Sequence, residues 1–287
     1  MTRQSPARWR QAGAITLAAA ALLALLHLTQ REPRLDHRDF APTSGPGALQ
    51  FCDPANPRLL SVVSRLSPVS VRISAPAART GEKVWVALTL STTRGKPIPA
   101  SELLPTAGLG LQLLVVGPGA EDFQAPPASA GAGPGTWSFE FEPRLSGLYR
   151  VFADFTPRAT GREMYGSAEI AVAPGGVAAP APERDGFRFA LSASAQPIRA
   201  REPIELVLTA ERTGGGDAPA GPVAHLAIFD LGLTGLVNLH APLLAAGIGK
   251  TASFRVTLDE PGTYVVWARS SPGGRETAIP FRLEVLP

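Results

Sequence analysis

A stretch near the middle of the chain recurs, without a gap, at a fixed distance downstream. Phe139-Glu-Phe-Glu-Pro-Arg-Leu-Ser-Gly-Leu-Tyr149-Arg-Val-Phe152 aligns with Phe254-Arg-Val-Thr-Leu-Asp-Glu-Pro-Gly-Thr-Tyr264-Val-Val-Trp267. The offset is 262 − 147 = 115 at the glycines and 264 − 149 = 115 at the tyrosines. Upstream, Gly81-Glu-Lys-Val-Trp-Val86 answers to Arg201-Glu-Pro-Ile-Glu-Leu206. A duplication of this kind leaves little choice of architecture. A chain of 287 residues has room for two copies of one domain and a short leader.

The repeated unit reads as β-structure. Val84, Val86, Leu88 and Leu90 alternate with period two, as do Trp137, Phe139 and Phe141, the pattern of strands with one buried face. Further short apolar runs occupy Leu59–Ser64, Val69–Ile73, Leu111–Val116, Leu148–Phe155 and Ser167–Val172. The 29 Gly and 29 Pro fall between such runs as turn punctuation. The Gly-x-Tyr entering a strand in both copies (Tyr149, Tyr264) resembles the tyrosine corner of immunoglobulin-like sandwiches. The expected fold is all-β, with two tandem immunoglobulin-like β-sandwich domains after one N-terminal transmembrane helix. The divisions are a helix at 1–30, a tether at 31–50, a first sandwich at 51–173, a linker at 174–185 and a second sandwich at 186–287. Alternation places Glu140, Glu142, Asp154 and Glu169 on solvated outer faces, and strand position places Trp85, Trp137 and Trp267 in cores.

The leader carries its own signal. Gln11 to Gln30 is free of charge and Ala12–Leu28 is almost wholly apolar; twenty helical residues span about 30 Å, the thickness of a bilayer core. Arg3, Arg8 and Arg10 precede it, Trp9 sits at the expected interface, and Leu22, Leu23, Leu25 and Leu26 form the apolar body. The following His27-Leu-Thr-Gln-Arg-Glu32 lacks small residues at cleavage positions. The segment is therefore expected to stay as a signal anchor in a bacterial inner membrane, with the bulk of the chain in the periplasm. Arg31, Arg34 and Arg38 follow the span and blunt the charge bias.

Several chemistries are disfavoured. The four histidines are His27, His37, His225 and His240, of which the first two fall in the leader and tether. No Gly-x-Ser-x-Gly elbow, phosphate-binding loop or His-Glu-x-x-His is present. Cys52, the single cysteine, cannot form an internal disulfide. A net charge of +3 without a dense basic tract argues against nucleic-acid binding.

The run Gly147-Leu-Tyr-Arg-Val-Phe-Ala-Asp-Phe-Thr-Pro157 resembles a family of bacterial exported β-sandwich proteins, YtkA-like, associated with copper handling. That resemblance implies a His-Leu before one strand and an Asp-Phe-x-His-x-His-Pro before another. The first copy here has Gln112-Leu113 and Asp122-Phe-Gln-Ala-Pro-Pro127 instead, without histidine. The second keeps His225-Leu226 and, in Asn238-Leu-His240-Ala-Pro242, one of the pair. His225 and His240 could thus be residual copper ligands. Alternatively, His225 packs at a strand start and His240 caps a turn. The favoured expectation is no cofactor and no catalysis: an accessory subunit docking on an integral membrane complex, respiratory or photosynthetic. The loop Leu231-Gly-Leu233-Thr-Gly-Leu236-Val237 is its candidate contact, and the N-terminal helix is held in the lipid bilayer. The alternative is a periplasmic copper-binding or copper-delivery protein.

Overall fold

The computed structural model describes residues 15–22, 34–40, 57–61, 67–105, 110–176, 187–212, 223–242, 244–246, 249–270 and 277–287. Contacts group the chain into two compact units, Met1–Arg34 and Leu35–Pro287. In the first, residues 15–22 are helical. Among the described residues, no helix is long and apolar enough to cross a membrane. Trp9, Leu23, Leu25 and Leu26 lie outside the described residues, as do Cys52 and most of the expected linker.

Among its described residues the second unit is all-β apart from short 3₁₀ turns. The segment β1 (Leu60–Ser61) comes first. The first sandwich follows with β2 (Val69–Ser74), β3 (Ala78–Arg79), β4 (Val84–Thr92), β5 (Leu103–Leu104) and β6 (Leu111–Val116). It continues with β7 (Phe123–Gln124), β8 (Ser129–Ala130), β9 (Thr136–Phe141), β10 (Gly147–Pro157) and β11 (Met164–Ala173). The second contains β12 (Phe187–Ala193), β13 (Ile198–Arg199), β14 (Pro203–Arg212), β15 (Val223–Asp230) and β16 (Gly235–Pro242). It closes with β17 (Leu244–Ala246), β18 (Gly249–Thr257), β19 (Gly262–Ser270) and β20 (Thr277–Leu286).

The two copies share one topology. A sheet ordered β2-β4-β9-β8 faces β3-β11-β10-β6-β7, and a sheet ordered β12-β14-β18-β17 faces β13-β20-β19-β15-β16. Pairing is antiparallel except where β3 meets β11 and β13 meets β20. With strands lettered along each copy, both build an A-B-E-D sheet against one holding C, F and G, the immunoglobulin arrangement. The inward-facing alternate residues make the cores: Val84, Val86, Leu88, Phe139, Val151 and Phe155 in the first copy, and Leu206, Leu208, Leu226, Ile228, Phe254 and Val266 in the second.

Three expectations from the sequence change. The run beginning at Leu59 was assigned to the first sandwich, but Leu60 and Ser61 pair with Leu236 and Gly235 on the edge of the second. Arg58 bridges Thr257 on the same side. Trp85, expected in a core, is 65% exposed. Val84 and Val86 take the inner face of β4, so the pleat turns Trp85 outward.

The third change is the largest. The outer faces of the sheets holding β10 and β15 are not solvated: they bury against each other. Leu114, Val116, Phe123 and Phe152 of the first sandwich cluster with Phe229, Leu233, Leu236, Val265 and Trp267 of the second. Phe123 stacks on Trp267 at 5.2 Å, whose indole N–H donates to the Ala120 carbonyl at 2.9 Å. All six residues of β6 are consequently buried. Asp154, expected on a solvated face, is 4% exposed inside this seam.

Candidate functional site

The seam has an apolar end and a polar end, both set by strand register. On β6 and β10, Gln112 stands opposite Asp154. On β15 and β16, His225 stands opposite His240, and His225 is also opposite Arg269 on β19. All five side chains alternate with core residues, so all point into the seam. Asn238, two residues before His240 on the same face of β16, joins them. Its side-chain N–H₂ donates to Asp154 Oδ2 at 2.7 Å and to Gln112 Oε1 at 3.0 Å.

The two histidines meet each other. Their rings are edge-to-face with centroids 4.5 Å apart, and Nδ1 lies 2.6 Å from Nδ1. One nitrogen must donate and the other accept, so the pair is stable only when at least one proton is absent. Burial, the Arg269 guanidinium and the other imidazole push His225 down to about 3. Burial and Arg269 push His240 down to about 4. Both rings are neutral at pH 7. His240 lies within a strand rather than at a turn.

Near His240 lie two carboxylates. Asp154, Glu163 and His240 each offer a ligand atom, with all three atoms within 4.8 Å of one another. Burial holds the Asp154 carboxyl well above the usual range, and the neighbouring Glu163 charge raises it further. Asn238 Oδ1 and Gln112 Nε2 are buried without a hydrogen-bond partner among the described residues.

The copper implied by the sequence resemblance can be tested against this geometry. Two nitrogens bound tetrahedrally to one ion at about 2.0–2.1 Å stand roughly 3.4 Å apart. The Nδ1 atoms are too close for that and are spent on each other. The residues as placed do not form a two-histidine chelate through Nδ1.

The remaining sequence candidates are placed as follows. Tyr149 Oη donates to Asp122 Oδ2 at 2.6 Å and accepts the Leu145 backbone N–H at 3.0 Å. Tyr264 Oη donates to the Glu260 carbonyl at 2.8 Å. In the loop thought to be a contact surface, Leu233 and Leu236 are buried in the seam and Val237 in the second core. Leu231 is 44% exposed. It borders a cleft shared with Pro118, Gly147, Leu148 and Arg150 of the first sandwich. Sequence reasoning missed Asp154, Glu163, Asn238 and Gln112 as a group. The legible signal was the apolar run Leu113–Val116 of β6, which marks a strand buried on both faces.

No family model and no curated protein matches the chain. Among solved structures, the Escherichia coli adhesin FdeC is similar at 19% identity over 80% of this chain and 66% of its own, with a TM-score of 0.27. A DUF4785 family protein of Legionella pneumophila is similar at 10% identity over 77% of this chain and 58% of its own, with a TM-score of 0.28. The fibronectin(III)-like modules of Clostridium thermocellum CbhA are similar at 10% identity over 76% and 93%, with a TM-score of 0.22. The chain spans about two thirds or less of the first two.

Proposed function

We propose that this is a non-catalytic protein, anchored in a bacterial inner membrane by its N-terminal helix and displayed in the periplasm, that docks on an integral membrane complex as an accessory subunit. The observation that carries this reading is the cleft where the sandwiches meet. Leu148, 50% exposed, stands on one side and Leu231, 44% exposed, on the other. Large apolar side chains grouped at an exposed junction are typical of interaction sites. The buried seam supports the reading too, because it joins the two lips of the cleft within one compact unit, which reduces the ordering cost of docking. A membrane anchor would raise the effective concentration near a partner in the same bilayer.

Purification of the full chain in mild detergent, with mass spectrometry of retained subunits, tests this. Wild type is expected to retain a discrete set of membrane subunits, and the Leu148→Glu/Leu231→Glu variant to lose them while its Tm is unchanged. Recovery as a lone monomer, or retention unaffected by the double variant, overturns the proposal. Copper binding or delivery is the second reading: the two imidazoles are adjacent, but they bond each other as placed, so this reading requires the rings to turn apart. Titration with Cu(I) and Cu(II), repeated on the His225→Ala/His240→Ala variant, tests it.

A further inference from the structure

We infer that the polar end of the seam is a divalent-cation site, in which Asp154 and Glu163 of the first sandwich and His240 of the second bind one zinc-like ion and so tie the sandwiches together. This does not rest on the docking reading, and it uses other atoms than a two-histidine copper chelate.

Three independent observations carry it. The first is the donor set itself: two carboxylates and an imidazole whose ligand atoms already lie within 4.8 Å of one another. Around a tetrahedral ion such atoms stand about 3.4 Å apart. Glu163 lies in the loop between β10 and β11, is half-buried, and already shares a side-chain hydrogen bond with Asp154. The second is the histidine pair. With Nδ1 of His240 engaged by His225, the nitrogen left is Nε2, which lies 3.5 Å from the Asn238 amide that bonds Asp154. If His240 Nδ1–H is the donor, Nε2 carries its lone pair toward the Asn238 amide that bonds Asp154. A metal-bound histidine usually donates its other ring N–H to a fixed acceptor, which sets its tautomer. His225 is placed to be that acceptor and is a positioning residue, not a ligand.

The third observation is unsatisfied polarity. Asn238 is 2% and Gln112 4% exposed; Asn238 bonds Asp154 and Gln112, yet Asn238 Oδ1 and Gln112 Nε2 lack partners among the described residues. Buried polar atoms are normally paired, and an ion with its bound water would supply partners. A buried carboxyl beside a half-buried one is eased by the Arg269 charge and by a bond between Asp154 and Glu163, and an ion would in addition engage the imidazole lone pair. Oxygen and imidazole donors without sulfur select borderline and hard ions such as Zn²⁺, Co²⁺ and Mn²⁺ over Cu(I).

The test is titration of the chelator-treated full chain in detergent with Co²⁺, read by its visible ligand-field bands, followed by Zn²⁺ competition. One Co²⁺ per chain is expected, displaced by Zn²⁺, with a rise in Tm that depends on metal concentration. Asp154→Asn/Glu163→Gln and His240→Ala should abolish the bands. His225→Ala should keep them but weaken affinity roughly 10- to 100-fold. Metal-free Tm values separate folding from binding: Asp154→Asn is isosteric and should melt near wild type without metal yet gain nothing from Zn²⁺. Absence of saturable one-to-one binding, or binding unchanged by the carboxylate variants, overturns the inference. So does copper binding that needs both histidines but neither carboxylate.

Discussion

Tyr149 and Tyr264 are equivalent by sequence, but their hydroxyls have unequal partners. Tyr264 makes one neutral bond to a backbone carbonyl. Tyr149 bonds the carboxylate of Asp122, which is itself buried and paired with Arg144 at 2.7 Å. A hydrogen bond to a charged group contributes about 1.5–3 kcal/mol against about 1 for a neutral one. Tyr149→Phe is therefore expected to cost about 2–3 kcal/mol in urea unfolding, and Tyr264→Phe about 1. Equal losses would contradict the assignment. The same environment raises the Tyr149 hydroxyl above its ordinary value, through burial first and then the Asp122 bond. A group whose protonated form is favoured in the fold contributes fully below its unfolded pKa of about 10 and loses that contribution as pH rises beyond it. Wild type should thus lose stability above pH 10 more steeply than Tyr149→Phe, as read by alkaline denaturation. The Gly-x-Tyr pattern made the tyrosines legible; the Asp122 partner of Tyr149 was not, because it lies 27 residues away.

Among the elements, β4 and β10 illustrate two kinds of strand. In β4 buried and exposed residues alternate along most of its length, so sequence periodicity was enough to find the strand, although the aromatic at position 85 was read into the wrong face. Trp85→Lys should change stability by no more than about 0.5 kcal/mol, whereas its neighbour in Val86→Asp should prevent folding at ordinary temperature by burying an unpaired charge. Thermal melts of the pair decide this. In β10, Tyr149, Val151, Ala153 and Phe155 fill the first core, while Phe152 and Asp154 on the opposite face are also buried. Phe152→Ala is expected to cost about 3–5 kcal/mol, the range for emptying a packed aromatic site, although alternation alone would put Phe152 on a free surface. A cost below about 1 kcal/mol would mean that face is open to water.

For the molecule as a whole, the seam predicts coupling. Two sandwiches joined by Phe123, Phe152, Phe229, Leu236 and Trp267 should unfold in one calorimetric transition, and Trp267→Ala, which empties the stack and frees the Ala120 carbonyl, should split it into two. Two transitions in wild type would show that the seam contributes little. The sequence by itself determined the duplication, the strand pattern, the tyrosine corners and an apolar leader of bilayer length. These follow from periodicity and composition, which are local properties of a chain. Only the tertiary structure decided that β1 pairs with the second sandwich, that Leu233 and Leu236 face the first, and that Asp154 and Glu163 meet His240. Period two says that a residue faces away from its own core, but not whether water or another domain lies there. That depends on how the outer sheet faces of the two copies fit together, and it turned an aspartate expected on a solvated face into a member of the buried polar cluster.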